Sequence, residues 1–232
     1  MAGLSTGLDC ELDFVMLYQK KKKWSHPFLT GLFALLAMLF QATAHSAPKT
    51  VLVLGDSLSA GYGLARGQGW VSLLSERLQN EKMEVKVVNA SISGDTTSGG
   101  LSRLPTQLDK HQPDIVIIEL GGNDALRGLS LDASCQNLRG MIRDAKSHRA
   151  KVLLVGMQIP PNYGKTYTEA FFQMFPAIAK EEKVALVPFL LEGIAEKPEL
   201  FQPDRIHPLA SANPRMLDNV WPVLQKLLKE KS

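Results

Sequence analysis

From Val51 onward the chain alternates short apolar runs with segments of helical periodicity, and this alternation limits its fold more than any other feature. Residues 51–54, 85–88, 115–120, 152–155 and 184–187 are brief and rich in valine, isoleucine and leucine, as in strands buried by their neighbours. The clearest is 115–120, where four β-branched residues precede Glu119. Between the runs, Trp70, Leu73, Leu74 and Leu78 recur at helical spacing, as do Leu101, Leu104 and Leu108. Further helices are expected at about 132–148 and 166–180. A last one carries Val220, Val223, Leu224, Leu227 and Leu228, with Pro214 at its start and Pro222 expected to kink it. Strands separated by helix-length segments form βαβ units, so the predicted class is α/β: a three-layer α/β/α sandwich on a mostly parallel sheet of about five strands. In such a sheet, ligands bind beyond the carboxyl ends of the strands.

The region before Val51 reads as a targeting segment. Lys20, Lys21, Lys22 and Lys23 precede an apolar run at 28–40, and Gln41-Ala42-Thr43-Ala44-His45-Ser46-Ala47 follows with small residues spaced for a signal peptidase. The apolar run has 13 residues, whereas a spanning helix needs about 20. A signal peptide at 1–47 is therefore expected, cleaved after Ala44 or Ala47, leaving a single domain at 48–232 and no stable membrane insertion. Asp9, Glu11 and Asp13 sit awkwardly ahead of the basic cluster, and a start at Met16 gives a cleaner signal. Removing 1–47 takes four lysines and three acids with it, so a formal charge of +3 becomes +2. No stripe of Lys and Arg remains to argue for nucleic acid. With 45% hydrophobic and 21% charged residues, the composition also excludes wholesale disorder, a fibre and a polytopic membrane protein. Cys135 would be the one cysteine left after cleavage. Its helical spacing with Leu138 and Ile142 predicts a buried structural thiol, not a nucleophile.

Polar residues gather at the predicted strand ends. Gly55-Asp56-Ser57-Leu58-Ser59 follows the first strand, Asn89-Ala90-Ser91-Ile92-Ser93-Gly94-Asp95-Thr96 the second and Gly121-Gly122-Asn123-Asp124 the third. Asp204 and His207 lie together near the C-terminus. A serine nucleophile needs a base for its proton, and the base needs a carboxylate to fix its tautomer. Ser57, His207 and Asp204 can fill these roles. The Ser57 and Gly94 N–H groups and the Asn123 amide can supply donors to an oxyanion. Taken singly, each piece has a plain structural reading as a turn, a helix cap or a core histidine. Their joint placement at successive strand ends argues for catalysis. Other signatures are missing: there is no G-x-S-x-G elbow, no phosphate-binding P-loop, no H-E-x-x-H zinc motif and no complete dinucleotide fingerprint. No metal or cofactor is expected. His111 and His148 sit near helix ends and read as solvated.

Gly55-Asp56-Ser57-Leu58-Ser59, Gly94, Gly121-Gly122-Asn123-Asp124 and the Asp204–His207 pair resemble the four sequence blocks of the SGNH, or GDSL, hydrolases. The resemblance runs from about Val51 to the final helix. Leu126-Arg127-Gly128 and Pro161-Asn162-Tyr163-Gly164 extend it to the periplasmic multifunctional thioesterase–lysophospholipase–arylesterase subgroup. It implies a flavodoxin-like sheet and a serine esterase acting on small acyl esters and thioesters. It further implies Ser57 as nucleophile, His207 as base, Asp204 as its orienting acid, and an oxyanion hole of Ser57, Gly94 and Asn123. Asp56 would position loops. Asp124, Leu126, Ile159 and Pro160 would contact substrate. The segment Gln158-Ile159-Pro160-Pro161-Asn162 is one residue shorter than the subgroup's pattern, which bears on acyl-chain preference. A periplasmic or secreted monomer is expected.

Three other readings make different predictions. A carbohydrate-acetyl esterase would prefer short acetyl esters over medium-chain acyl esters. A non-catalytic binding protein on the same fold would be inert towards every activated ester. A membrane-anchored scaffold would keep an N-terminus ahead of Lys20 after export.

Overall fold

The computed structural model describes residues 48–230. The predicted signal peptide, its cleavage site and the Met16 start lie outside the described residues. Five strands form one sheet: β1 (Lys49–Gly55), β2 (Val85–Asn89), β3 (Ile115–Glu119), β4 (Lys151–Val155) and β5 (Ala185–Val187). They are all parallel, in the order β2-β1-β3-β4-β5. Every strand matches one of the five predicted runs to within two residues at either end.

Burial explains the order. Every residue of β3 and the last five of β1 are buried, so the most apolar runs take central positions. In β2 the run is broken by the exposed Lys86, and this strand sits at an edge. Charged side chains on an edge strand also discourage pairing with another sheet.

The helices are α1 (Ser57–Ala60), α2 (Trp70–Asn80), α3 (Thr97–His111), α4 (Gly122–Leu126), α5 (Leu131–Ser147), α6 (Lys165–Glu182) and α7 (Asn213–Lys229). α3, α5 and α6 pack side by side as one layer, and α2 packs on α7 in the other. In α2, Trp70, Val71, Leu74 and Leu78 turn inward, whereas Leu73, expected in the core, is half-buried. α7 is continuous from Asn213 to Lys229, with Pro214 in its first turn and Pro222 inside it. The Asn213 side chain accepts a buried hydrogen bond from the Trp70 amide at 2.9 Å, joining the starts of α2 and α7.

One expected core position is corrected. Cys135 is half-buried and packs on the core's flank, while the neighbouring Ser134 is buried. Ser134 is accommodated because its hydroxyl lies 3.2 Å from Asp124 Oδ1 and 3.1 Å from the Ser130 carbonyl, which satisfies it without water. Partial burial still pushes the Cys135 thiol above its ordinary range, so it is not an activated nucleophile.

The two edges of the sheet are built differently. At the amino edge, the chain returns from helix to strand through Lys82, Gln112, Arg149 and Lys183, each left-handed, with φ of 54°, 42°, 64° and 51°. At the carboxyl edge the connections are longer. The chain leaves β1 towards β2 on one side and later crosses to β3 on the other. The gap between the carboxyl ends of β1 and β3 is thus the topological switch point, where a parallel sheet opens a crevice.

Candidate active site

Gly55 ends β1 with Ser59 and the Glu119 carboxylate packed against it. A Cβ there would lie 2.6 Å from Glu119 Oε2 and 2.7 Å from Ser59 Cβ, so the position excludes any side chain. The chain then turns into α1. Asp56 caps this short helix, its Oδ1 accepting from the Leu58 amide at 3.0 Å. Ser57, the first helical residue, is thereby held beyond the sheet edge at the switch point.

His207 arrives from a loop 150 positions later, and its Nε2 lies 2.8 Å from Ser57 Oγ. Its Nδ1 lies 2.7 Å from Asp204 Oδ2. Asp204 Oδ1 meanwhile accepts from the Ile206 and His207 amides at 2.9 and 3.0 Å. The carboxylate therefore organises its own loop while it faces the imidazole. Burial opposes ionisation of Asp204, but the His207 amide and ring and the Ile206 amide outweigh it and hold the carboxyl down at about 2. The Tyr62 ring packs on His207 with centroids 4.5 Å apart. Gln202 Nε2 donates to the Tyr62 carbonyl at 2.9 Å, tying this loop to the one after β1.

The expected oxyanion donors lie close by. Asn123, in α4 just after β3, donates from Nδ2 to Asp56 Oδ2 at 3.0 Å and to the Asp95 carbonyl at 2.9 Å. These two contacts orient the amide, and an incoming oxyanion would have to share its hydrogens. Gly94 neighbours Asp95 and has a φ of 80°, a conformation natural to glycine. Its carbonyl accepts from Arg127 Nη2 at 2.9 Å. Arg103 holds the same loop from beneath, pairing with Asp95 at 2.7 Å.

A pair of buried acids lies under the nucleophile. Burial pushes the Asp56 carboxyl up to about 6, although the Leu58 amide, His207 and Asn123 favour its charge. Glu119, at the end of β3, is fully buried. Its Oε2 accepts from Ser59 Oγ at 2.6 Å and the Asp56 amide at 3.3 Å, while Oε1 has no partner among the described residues. Burial first, and then the Asp56 charge, raise its carboxyl well above the usual range. Neither Glu119 nor Ser59 was singled out from the sequence. A lone acid ending an otherwise apolar strand was the available signal.

Ser57 and His207 open into a cleft of about 380 Å³. Leu126, Ile159 and Pro160 line it, where the sequence placed them, together with Met157, Phe189, Leu191 and Phe201, which sequence reasoning missed. The missed residues after β5 share a signal with the others, since they too follow a strand at the carboxyl edge. Asp124 is corrected. Its carboxylate is buried away from the cleft lining, accepting from the Thr97 amide at 2.9 Å and the Thr97 hydroxyl at 2.6 Å. It fastens α4 to the start of α3. Among the described residues, no group of three or more His, Cys, Asp or Glu side chains could hold a metal ion.

A parallel α/β sandwich with a Ser–His–Asp hydrogen-bonded chain at its carboxyl edge has the arrangement of a serine hydrolase. Residues 53–213 match the GDSL-like lipase/acylhydrolase family, and the chain belongs to that family. It is 52% identical over 200 residues to Esterase TesA of Pseudomonas aeruginosa, covering 86% of this chain and 98% of the relative. It is 42% identical over 218 residues to Thioesterase 1/protease 1/lysophospholipase L1 of Escherichia coli, covering 94% of this chain and all of the relative. The crystal structure of TesA superposes with a TM-score of 0.76 at 54% identity, over 77% of this chain and 99% of that one.

Proposed function

We propose that the protein hydrolyses acyl esters and thioesters through a covalent acyl-enzyme on Ser57. The observation that carries this reading is the unbroken run from Asp204 through His207 to Ser57 Oγ, with spacings of 2.7 and 2.8 Å, at the mouth of an apolar cleft. Asp204 accepts from His207 Nδ1–H, leaving Nε2 as the basic nitrogen facing the hydroxyl. His207 takes the Ser57 proton as Oγ attacks the carbonyl carbon. The tetrahedral oxyanion is stabilised by the Ser57 and Gly94 amides and by Asn123. His207 then protonates the departing alcohol or thiol. Water repeats the sequence on the acyl-enzyme, releasing the acid and restoring Ser57.

The lining of Leu126, Ile159, Pro160, Met157, Phe189 and Leu191 supports an acyl chain of more than two carbons. The named activities of the relatives support the same range of esters and thioesters. The protein needs no cofactor and works as an exported monomer, periplasmic or secreted. No helix among the described residues is long and apolar enough to cross a membrane.

The test is hydrolysis of p-nitrophenyl esters from C2 to C16 by wild type and Ser57→Ala. Wild type is expected to prefer medium chains, and Ser57→Ala to lose on the order of 10⁴–10⁶ in kcat. Equal rates for both proteins would overturn the mechanism. A sharp C2 optimum would move the substrate to acetylated carbohydrate.

A further inference from the structure

Six large apolar side chains are exposed among the described residues: Tyr62, Ile92, Leu129, Tyr163, Ile206 and Leu209, with 37–54% of their surface accessible. All six lie in connections that leave the carboxyl ends of the strands, and none in the helix-to-strand turns opposite. Single exposed hydrophobics are ordinary, but six confined to one edge of a sheet mark an interaction face. Hydrogen bonds knit their loops into a rim. Arg127 reaches the Gly94 carbonyl, the Tyr167 hydroxyl reaches the Leu129 carbonyl at 2.9 Å, and Gln202 reaches the Tyr62 carbonyl. Ile206 belongs to the cleft mouth itself.

Charge identifies what the rim meets. Tyr62, Leu129, Tyr163 and Ile206 each have a cation within four positions: Arg66, Arg127, Lys165 and Arg205, all exposed. None of these four cations is in an ion pair among the described residues. Asp95, on the loop of Ile92, pairs with Arg103, and Asp204, on the loop of Ile206, pairs with His207. Glu192, Glu196 and Glu199, after β5, have no exposed large apolar residue within four positions, whereas the exposed Asp132 lies three positions from Leu129. Apolar side chains interleaved with unpaired cations suit a lipid surface, where the apolar groups enter the acyl boundary and the cations meet anionic headgroups. A protein partner would demand a specific complementary shape, for which nothing in the rim is evidence.

We propose that this rim docks the protein onto a lipid surface bearing anionic headgroups and so holds the cleft mouth against the acyl chains. The docking itself is independent of the proposed hydrolysis; only its use rests on that reading.

The test is sedimentation with vesicles of phosphatidylcholine, alone or mixed with phosphatidylglycerol. Wild type and variants are taken from the exported fraction with identical N-termini, so that any contribution of residues 1–47 cancels. Wild type should bind the mixed vesicles more tightly and release them as salt rises. Ile92→Ser/Leu129→Ser/Tyr163→Ser should bind both vesicle types at least about tenfold more weakly. Arg66→Gln/Lys165→Gln should lose the preference for the anionic mixture. Both variants should hydrolyse a soluble short-chain ester as wild type does, which shows that fold and site are intact. Equal vesicle binding by wild type and the triple variant overturns the proposal. So does a wild-type dimer in solution that the triple variant converts to monomer, since the rim would then be a subunit contact. Ser57→Ala separates the two readings: it should bind vesicles like wild type, and full activity in it would sink the mechanism while leaving the docking intact.

Discussion

The two edges of the sheet share a core and little else. At the amino edge, turns of a few residues close each helix onto the next strand, and Lys82, Gln112, Arg149 and Lys183 hold left-handed backbone there. At the carboxyl edge, long connections carry the Ser57–His207–Asp204 chain, the apolar cleft and all six exposed large hydrophobics. One edge is closed by short turns; the other places exposed apolar groups and buried carboxyls around a candidate site. Stability and proposed activity are thus separable in this molecule along the strand direction, and substitutions at either edge can test that.

The largest effect is expected at the carboxyl edge. In Asp204→Asn the side-chain oxygen can still accept from the Ile206 and His207 amides, so the loop keeps its shape. The new amide nitrogen would face His207 Nδ1 and force the wrong tautomer, turning Nε2 from base to donor. The expectation is a fall of about 10⁴ in kcat with little change in melting temperature, by ester hydrolysis and thermal denaturation. A large drop in stability with it would show that the carboxyl edge also carries the fold.

Between the edges lies Glu119, buried at the end of β3. Its raised carboxyl keeps a proton in the folded state that the unfolded chain releases above its ordinary value of 4.5. The folded state then binds more protons than the unfolded one, so stability falls as pH rises above that value and stops falling once the folded group ionises. Asp56 acts in the same direction between 3.8 and about 6. Glu119→Gln cannot ionise and should flatten the alkaline decline, by up to about 1.4 kcal/mol for each pH unit that the folded group stays protonated. Denaturant melts from mildly acid to alkaline pH would show it, and parallel curves for the two proteins would contradict it.

The smallest effect belongs to the amino edge. Glycine relieves the strain of a left-handed side chain but adds unfolded-state entropy, so Lys82→Gly and Arg149→Gly should each change stability by under about 1 kcal/mol. Neither should alter ester hydrolysis. A loss of activity in either would show that the edges are coupled.

The strands were legible because burial by neighbouring helices selects apolar, β-branched runs, a pattern visible without coordinates. Ser57, Gly94 and Asn123 were legible because each follows such a run, and Asp204 and His207 because an acid and a histidine stand three apart. Asp124 and Cys135 were misplaced for one shared reason. The Asp124 carboxylate accepts from Thr97 and lies within hydrogen-bond reach of Ser134, and that network carries polar groups inward. The resemblance placed Asp124 at the substrate and helical spacing placed Cys135 in the core, and neither signal carries the hydrogen bonds that draw Asp124 and Ser134 inward. Glu119 was hidden likewise, its burial depending on Ser59 and on the missing side chain at Gly55.

The contact between Ser57 and His207 closes a loop of 150 positions. Closures of that length come at a cost in chain entropy that local turns avoid. Ser57 lies at the end of the first strand, and nearly the whole remaining sheet must form before His207 can reach it. Until the segment bearing His207 docks, the serine is an ordinary alcohol with no base beside it. Under the proposed mechanism, an incompletely folded chain cannot attack the esters it meets, and the onset of hydrolysis times the completion of the fold.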